Sequence, residues 1–264
     1  MKTAVLLLWL TIEGFAQTGS PGYTAYRQGE ALFEKGKFQE SLIEIDRALG
    51  LDPRLIPALT LRAKLAMSMN RYDVAQEALE WALRVDPAAW YAQFLLGFLD
   101  YQQNRIPDAK TALEKARQLN PKDPRATLYL GLTNETLGNT AQARTLYRQA
   151  IALEESSGKP HAEAWLAYTR MLLVEGDLGE AAKQIERAKQ IDPQSRDVHF
   201  ESGRLLLKKG ALREAAQEGE TALRLAGEVT DRRVHFLLVQ AYQAMGREKE
   251  VARHADAIRA IEQR

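Results

Sequence analysis

The sequence is organised by a repeat of 34 residues, and a dipeptide that ends in proline marks its period. Asp52-Pro53, Asp86-Pro87 and Asn120-Pro121 follow one another at this interval, and Asp192-Pro193 comes 72 residues later, which is two periods plus four. Each proline follows a charge-rich helical segment and ends it, because proline lacks the N–H that a helix needs and clashes with the preceding turn. A fixed period of this length predicts an array of equivalent units.

Within these units, small residues recur at the same relative positions. Glycine or asparagine stands near the middle of each unit, where it accepts the left-handed conformation that ends a helix. These midpoint residues are Gly36, Asn70, Asn104, Gly138, Gly176, Gly210 and Gly246. Small residues inside the segments, such as Gly97 and Ala116, let two helices approach closely. Each unit is therefore predicted to be an antiparallel pair of helices, and seven units fit the sequence.

This pattern resembles the tetratricopeptide repeat family, whose units are helix-turn-helix pairs of about 34 residues. The resemblance covers residues 22–264. It implies an all-α fold, a right-handed α-solenoid of about seven repeats, in which the first helix of each pair lines a concave face. We expect repeats 1–4 over residues 22–157, an insertion at 158–161 and repeats 5–7 over 162–264. The insertion is interpreted as a loop, and a hinge between two subarrays is the alternative.

The first 16 residues have the composition of a secretory signal peptide. Lys2 precedes an apolar run, and Gly14 and Ala16 stand three residues and one residue before the expected cleavage site. The run is shorter than the roughly 20 residues of a membrane-spanning helix, so no transmembrane span is predicted. We expect residues 1–16 to be removed, 17–21 to be a linker, and the mature protein to be periplasmic or extracellular. The alternatives are an apolar helix that caps the fold and a signal segment that is kept as an anchor.

Composition and motifs argue against several classes of function. The net charge is +1, which gives no overall attraction for nucleic acid. There is no cysteine, and none of the four histidines has a neighbour at the spacing of a helical metal site. His199 and His235 occupy equivalent positions in units six and seven, where packed histidines are expected. No phosphate-binding or nucleophile motif is present, so the sequence predicts a protein without enzyme activity, cofactor or metal.

One segment carries two separate apolar stripes, although a helix that only packs on a core needs one. Leu96 and Gly97 form the packing stripe. Four aromatic residues fall within a different arc of about 80°. They are Tyr91, Phe94, Phe98 and Tyr101. In a tetratricopeptide-like stack this aromatic arc would face the concave groove, whereas the alternative is that neighbouring first helices bury the rings against one another.

The equivalent positions of the other first helices extend this predicted groove. They contribute Tyr23, Tyr26, Phe33, Arg125, Arg170, Phe200, Arg204 and Phe236. Aromatic residues and arginine are enriched where partners bind tightly. We therefore expect a protein or peptide segment to bind, with acidic or carboxylate groups opposite Arg170 and Arg204. The dicarboxylate clamp of chaperone-binding members is not matched, because Tyr26 and Glu30 stand where that clamp has lysine and asparagine.

The sequence thus predicts an exported, non-enzymatic protein-protein interaction module that acts as a scaffold or assembly factor. Two alternatives remain open. One is a structural oligomer in which the seventh unit and the outer faces pair with copies of the same chain. The other is a regulatory appendage of an enzyme complex.

Overall fold

The computed structural model describes residues 19–227 and 231–263. The predicted signal peptide, residues 1–16, lies outside these ranges. The described residues form fourteen α-helices and no strand, which confirms the all-α fold of repeating helix pairs. None of these helices is both long and apolar enough to cross a membrane.

The helices have nearly constant lengths and follow the predicted period. In chain order they are α1 (Pro21–Glu34), α2 (Phe38–Leu51), α3 (Ile56–Ser68), α4 (Tyr72–Val85), α5 (Trp90–Gln102), α6 (Ile106–Leu119), α7 (Pro124–Thr136), α8 (Thr140–Ser156), α9 (Glu163–Glu175), α10 (Leu178–Ile191), α11 (Arg196–Lys208), α12 (Leu212–Ala226), α13 (Arg232–Ala244) and α14 (Glu248–Glu262).

The midpoint residues end the first helices as predicted. Asn70 and Asn104 have φ angles of 57° and 59°, in the left-handed region that asparagine tolerates better than most residues. The five midpoint glycines have φ angles between 69° and 82°. Within each compact part of the chain these residues reverse the chain direction, so that α2, α4, α6, α10, α12 and α14 pack back on the helix before them.

The chain divides into two compact parts between Gly138 and Asn139. Each part contains several repeats, and the two parts are called unit 1 and unit 2 from here on. Unit 1 contains α1 to α7, and unit 2 contains α8 to α14. In unit 1 the helices pair as α1 with α2, α3 with α4 and α5 with α6, and α7 packs on α6. In unit 2 the pairs are α9 with α10, α11 with α12 and α13 with α14, and α8 packs on α9. The division lies within the predicted fourth repeat, whereas the predicted insertion at 158–161 lies in unit 2, between α8 and α9.

In each unit the first helices of successive pairs contact one another directly. α1, α3, α5 and α7 form one such layer in unit 1, and α9, α11 and α13 form another in unit 2. Six of the second helices supply a fully buried alanine, whereas α14 buries His254 and Ile258. These alanines are Ala48, Ala82, Ala116, Ala150, Ala188 and Ala222. The second helices pack closely on one side of the first helices, because these residues are small. The other side of each first-helix layer is then available for other contacts.

Candidate functional site

The predicted aromatic stripe lies on α5, in the first-helix layer of unit 1. Tyr91, Phe98 and Tyr101 are half-buried, but Phe94 is only 6% exposed. The rings of Tyr91 and Phe94 stack at 6.0 Å, and those of Phe94 and Phe98 stack at 6.3 Å. Residues three or four apart share one side of a helix, so the four rings form a continuous row.

Tyr129 of α7 packs edge-on against this row, and the sequence reasoning missed it. Its ring centroid lies 4.9 Å from that of Phe98, 5.8 Å from that of Tyr101 and 5.9 Å from that of Phe94. Tyr129 stands 34 residues after Leu95 and therefore one position beyond the equivalent of Phe94. A comparison of equivalent repeat positions therefore overlooks it. Phe94 is therefore part of the packing between α5 and α7, as the alternative interpretation held, whereas its three neighbours keep exposed edges.

Arg125, at the start of α7, covers the other end of the row. Its guanidinium carbon lies 5.5 Å, 5.0 Å and 5.2 Å from the ring centroids of Trp90, Tyr91 and Phe94. Asp123 holds it through hydrogen bonds from Nε to Oδ1 (3.0 Å) and from Nη2 to Oδ2 (2.7 Å). The hydrogen bonds to Asp123 raise the pKa of Arg125 above its ordinary value. The predicted contact residue Arg125 is thus a fixed cation whose charge has a carboxylate partner.

A cleft of about 360 Å³ opens between α1, α3 and α5 in unit 1. It is lined by Tyr26, Ile56, Pro57, Thr60, Asp86, Ala88, Ala89, Trp90, Tyr91 and Ala92. Tyr26 donates a hydrogen bond of 2.5 Å from its hydroxyl to Glu30 Oε1. Burial and this bond raise the pKa of Tyr26. The cleft therefore offers a largely apolar, ring-lined space with room for a large side chain.

The remaining predicted aromatic residues of unit 1 lie on α1. Tyr23 is half-buried, and its ring centroid lies 5.5 Å from that of Tyr26. Phe33 is also half-buried, and its ring lies beneath Lys64 of α3. The Nζ atom of Lys64 is 4.4 Å from the centroid of the Phe33 ring. Lys64 was not among the predicted contact residues, because it interrupts the aromatic pattern.

The other four predicted contact residues lie in unit 2. Two of them, Arg170 and Arg204, lie next to the carboxylate of Glu201. Glu201 is 2% exposed and accepts a hydrogen bond of 2.7 Å from Arg204 Nη1. Arg170 Nε lies 4.0 Å from the other oxygen of Glu201. Burial raises the pKa of Glu201, and the nearby arginines oppose that effect. Hence the acidic group expected opposite Arg170 and Arg204 is supplied, in this structure, by the chain itself.

The two phenylalanines of the unit 2 site differ in exposure. Phe200 is 7% exposed and lies beneath the guanidinium groups of Arg204 and Arg233, at 5.8 Å and 5.1 Å. Phe236 is 42% exposed, with Arg232 at 5.4 Å from its ring centroid. Phe200 therefore packs inside unit 2, whereas Phe236 is exposed on α13.

Groups suited to metal chemistry are not assembled in the part of the chain that the structure describes. No three His, Asp or Glu side chains there are arranged to hold a metal ion. His199 Nδ1 lies 2.6 Å from Glu218 Oε2, and His235 Nδ1 lies 3.0 Å from His254 Nδ1. These histidines are bonded to neighbouring helices of unit 2.

Several solved structures have a similar fold. One is a chain of the APC/C hetero-tetramer Cut9-Hcn1, with a TM-score of 0.76, 19% identity and coverage of 83% of this chain, which spans only 42% of that one. The pilF protein of Pseudomonas aeruginosa has a TM-score of 0.68 and 21% identity, with 85% of this chain and 97% of that chain covered. YrrB, a tetratricopeptide protein, has a TM-score of 0.51 and 22% identity, with 75% and 97% covered. At these identities the likeness is one of fold.

Comparisons of sequence give the family directly. No curated protein sequence matches the chain. The family described as Tetratricopeptide repeat matches residues 60–97, 99–157 and 135–196, which together make up just over half of the chain. The repeat skeleton, the paired helices and this match agree, and the chain belongs to the tetratricopeptide repeat family.

Proposed function

We propose that this protein is a non-enzymatic interaction module that binds a segment of a partner protein on the first-helix layer of unit 1. The observation that carries the proposal is the cleft of about 360 Å³ between α1, α3 and α5, which is lined by Tyr26, Trp90 and Tyr91. The proposed role is that of a scaffold or assembly factor, because a module without enzyme activity acts by binding its partner proteins.

The shape of this surface favours a polypeptide segment. Half-buried rings continue from the cleft along α5, through Tyr91 and Phe98 to Tyr101. A row of that length exceeds what one small molecule covers, whereas an extended segment can place alternate side chains along it. Rings that keep an exposed edge also offer a large contact area at a small entropic cost.

Two of the proteins of similar fold support this proposal by analogy. The structure of YrrB is described as having an unusual peptide-binding site, and Cut9 is part of a hetero-tetramer. Tetratricopeptide units stack side by side, and the surface of the stack is the part that can vary from one protein to another. The analogy concerns the class of ligand and not its identity.

The proposal includes export, which rests on the sequence of residues 1–16 alone. Lys2, the apolar run after it and the small residues Gly14 and Ala16 have the order of a signal peptide. Expression of the full chain, followed by fractionation and N-terminal sequencing, tests this part. We expect a mature protein that begins at Gln17 in the exported fraction, and an uncleaved chain that remains inside the cell would contradict it.

Filling the cleft tests the binding proposal. Ala88 is exposed and lines the cleft, so Ala88→Trp places a large side chain where the partner would insert. Ala141, exposed on α8, is the matched control because Ala141→Trp adds the same side chain outside the cleft. A displayed library of random 16-residue peptides is selected on the wild-type chain, and the affinities of the enriched peptides are measured by fluorescence anisotropy.

We expect the enriched peptides to bind Ala88→Trp at least about tenfold more weakly and to bind Ala141→Trp with unchanged affinity. Circular dichroism of both variants should match that of the wild type. Equal binding to both variants would show that the cleft is not the binding site. A library that yields no enriched peptide would count against the function itself.

A further inference from the structure

Lys64 is a cation in the first-helix layer of unit 1 for which the described residues provide no carboxylate partner. Its side chain is half-buried, with Nζ 4.4 Å above the Phe33 ring. Burial lowers its pKa below the ordinary value, and the positive charge of Arg125 lowers it further. Glu30 and Glu34 oppose this effect, but no carboxylate of the described residues forms an ion pair with Lys64.

The neighbouring charges show why Lys64 is different. Glu30, one of the two carboxylates on α1 that act on Lys64, is already engaged by Tyr26 and Arg27. Arg125 already has a carboxylate partner, because it donates two hydrogen bonds to Asp123. A partly desolvated cation beside another positive charge is costly unless an anion joins it. The anion missing from this surface is therefore expected on the partner.

The position of Lys64 fixes where that anion would lie relative to the cleft. Thr60 lines the cleft, and Lys64 is four residues further along α3, which is about 6 Å along the helix axis. In an extended peptide two residues span about 6.6 Å, and side chains two residues apart point the same way. An apolar side chain in the cleft thus brings a carboxylate two residues away within reach of Lys64.

We propose that Lys64 binds the side-chain carboxylate of an Asp or Glu in the partner segment, two residues from an apolar side chain that fills the cleft. This inference rests on the proposed function and names the partner's chemistry. A chain-terminal carboxylate is usually held by a nest of free backbone N–H groups. The groups around Lys64 are side chains on helices whose backbone N–H groups are bonded internally, so an internal acidic residue fits better.

The test uses N-acetylated, C-amidated nonapeptides, which carry no terminal charge. One set contains Leu-x-Asp or Asp-x-Leu at its centre, with Phe or Trp in place of Leu in further members and Gly, Ser or Thr elsewhere. A second set has Asn in place of Asp. Affinities are measured by fluorescence anisotropy for the full chain and for Lys64→Met, Lys64→Arg and Lys115→Met. Lys115 is exposed on α6, so its variant removes the same charge outside the cleft.

We expect the wild type and Lys115→Met to bind the best Asp peptide about tenfold more tightly than its Asn counterpart. Lys64→Met should lose this preference, and Lys64→Arg should keep most of it. If peptides bind without a preference for Asp, or if Lys64→Met keeps the preference, the carboxylate inference is wrong while the binding function stands. If no peptide binds any form of the protein, both proposals fail.

Discussion

A side chain at Gly97 would collide with Leu113, its neighbour across the α5–α6 pair. A Cβ atom placed on Gly97 would lie 2.6 Å from Leu113 Cγ and 3.0 Å from the backbone nitrogen of Leu113, which is fully buried. A Cβ atom placed on Gly203, at the equivalent position of α11, would lie 2.7 Å from Leu237 Cδ2 of α13. The aromatic row of α5 is therefore presented by a helix that is held in close contact with α6 on another side.

Gly97→Ala should destabilise the protein although alanine favours helices more than glycine does. The overlap with Leu113 forces one helix to shift, which typically costs about 1–3 kcal/mol, and this exceeds the propensity gain of about 1 kcal/mol. Gly50→Ala is the control, because no heavy atom lies within 4 Å of a Cβ on Gly50 in α2. We expect urea unfolding to show a loss for Gly97→Ala and a gain for Gly50→Ala. Equal effects of the two changes would mean that α5 and α6 are not in close contact.

Phe94→Ala should cost about 3 kcal/mol of unfolding free energy, as truncation of a buried phenylalanine usually does. Phe94 is 6% exposed and packs against Tyr91 and Tyr129. Phe236→Ala is the matched control, since Phe236 is 42% exposed and its loss should cost less than about 1 kcal/mol. Urea unfolding followed by circular dichroism measures both, and similar losses in the two variants would argue against the burial of Phe94.

The fold could be predicted from the sequence because its determinants are local and recur at a fixed period. A midpoint Gly or Asn needs a positive φ angle, and a buried alanine needs a close helix neighbour, in each pair independently. Asn70 and Asn104 illustrate this, since both have the predicted left-handed conformation. The division between Gly138 and Asn139 has no such signal, because Gly138 has the same conformation as the other midpoint glycines.

The candidate site was less predictable because it depends on contacts between repeats. Periodicity placed Tyr91, Phe94 and Tyr101 on one side of α5, but it could not show that Tyr129 covers Phe94. Likewise, Arg204 was assigned to a partner's carboxylate, although Glu201 stands one turn before it on α11 and accepts its hydrogen bond. Glu201 and Arg204 are three residues apart on a helix and have opposite charges, and this spacing could have predicted the pair.

The buried carboxyl of Glu201 should make the stability of the protein depend on pH. Burial raises its pKa in the folded state above the unfolded value of about 4.3. The folded state therefore binds the proton more tightly, so the stabilisation is full below the unfolded pKa and is lost as pH rises through the folded pKa. Relative to Glu201→Gln, the unfolding free energy of the wild type should fall as pH rises above the unfolded pKa of about 4.3.

Urea unfolding at several pH values measures this difference. Glu186→Gln is the control, because it removes a carboxylate from an exposed position on α10 of the same unit. We expect the pH profile of Glu186→Gln to follow that of the wild type. A wild-type profile parallel to that of Glu201→Gln would show that Arg204 and Arg170 fully compensate the burial of Glu201.

Removing the charge of Arg125 should raise the pKa of Lys64. Burial is the larger cause of the lowered pKa of Lys64, and the positive charge of Arg125 is the second. Arg125→Met keeps an apolar side chain over the rings of Tyr91 and Phe94 but removes the repulsion between the two cations, so the lysine holds its proton to higher pH. Carbon-13 NMR of labelled lysine side chains, with Lys64→Met to assign the signal, measures the change.

Arg54→Met provides the control, since Arg54 is exposed in unit 1 and does not contribute to the pKa of Lys64. If Arg125→Met leaves the pKa of Lys64 unchanged, the positive charge of Arg125 does not act on Lys64. A carboxylate between them would then gain little, and the reason for expecting an acidic partner would be lost. If the pKa rises, a bound acidic peptide should raise it in the wild type as well, because an added negative charge opposes the same repulsion.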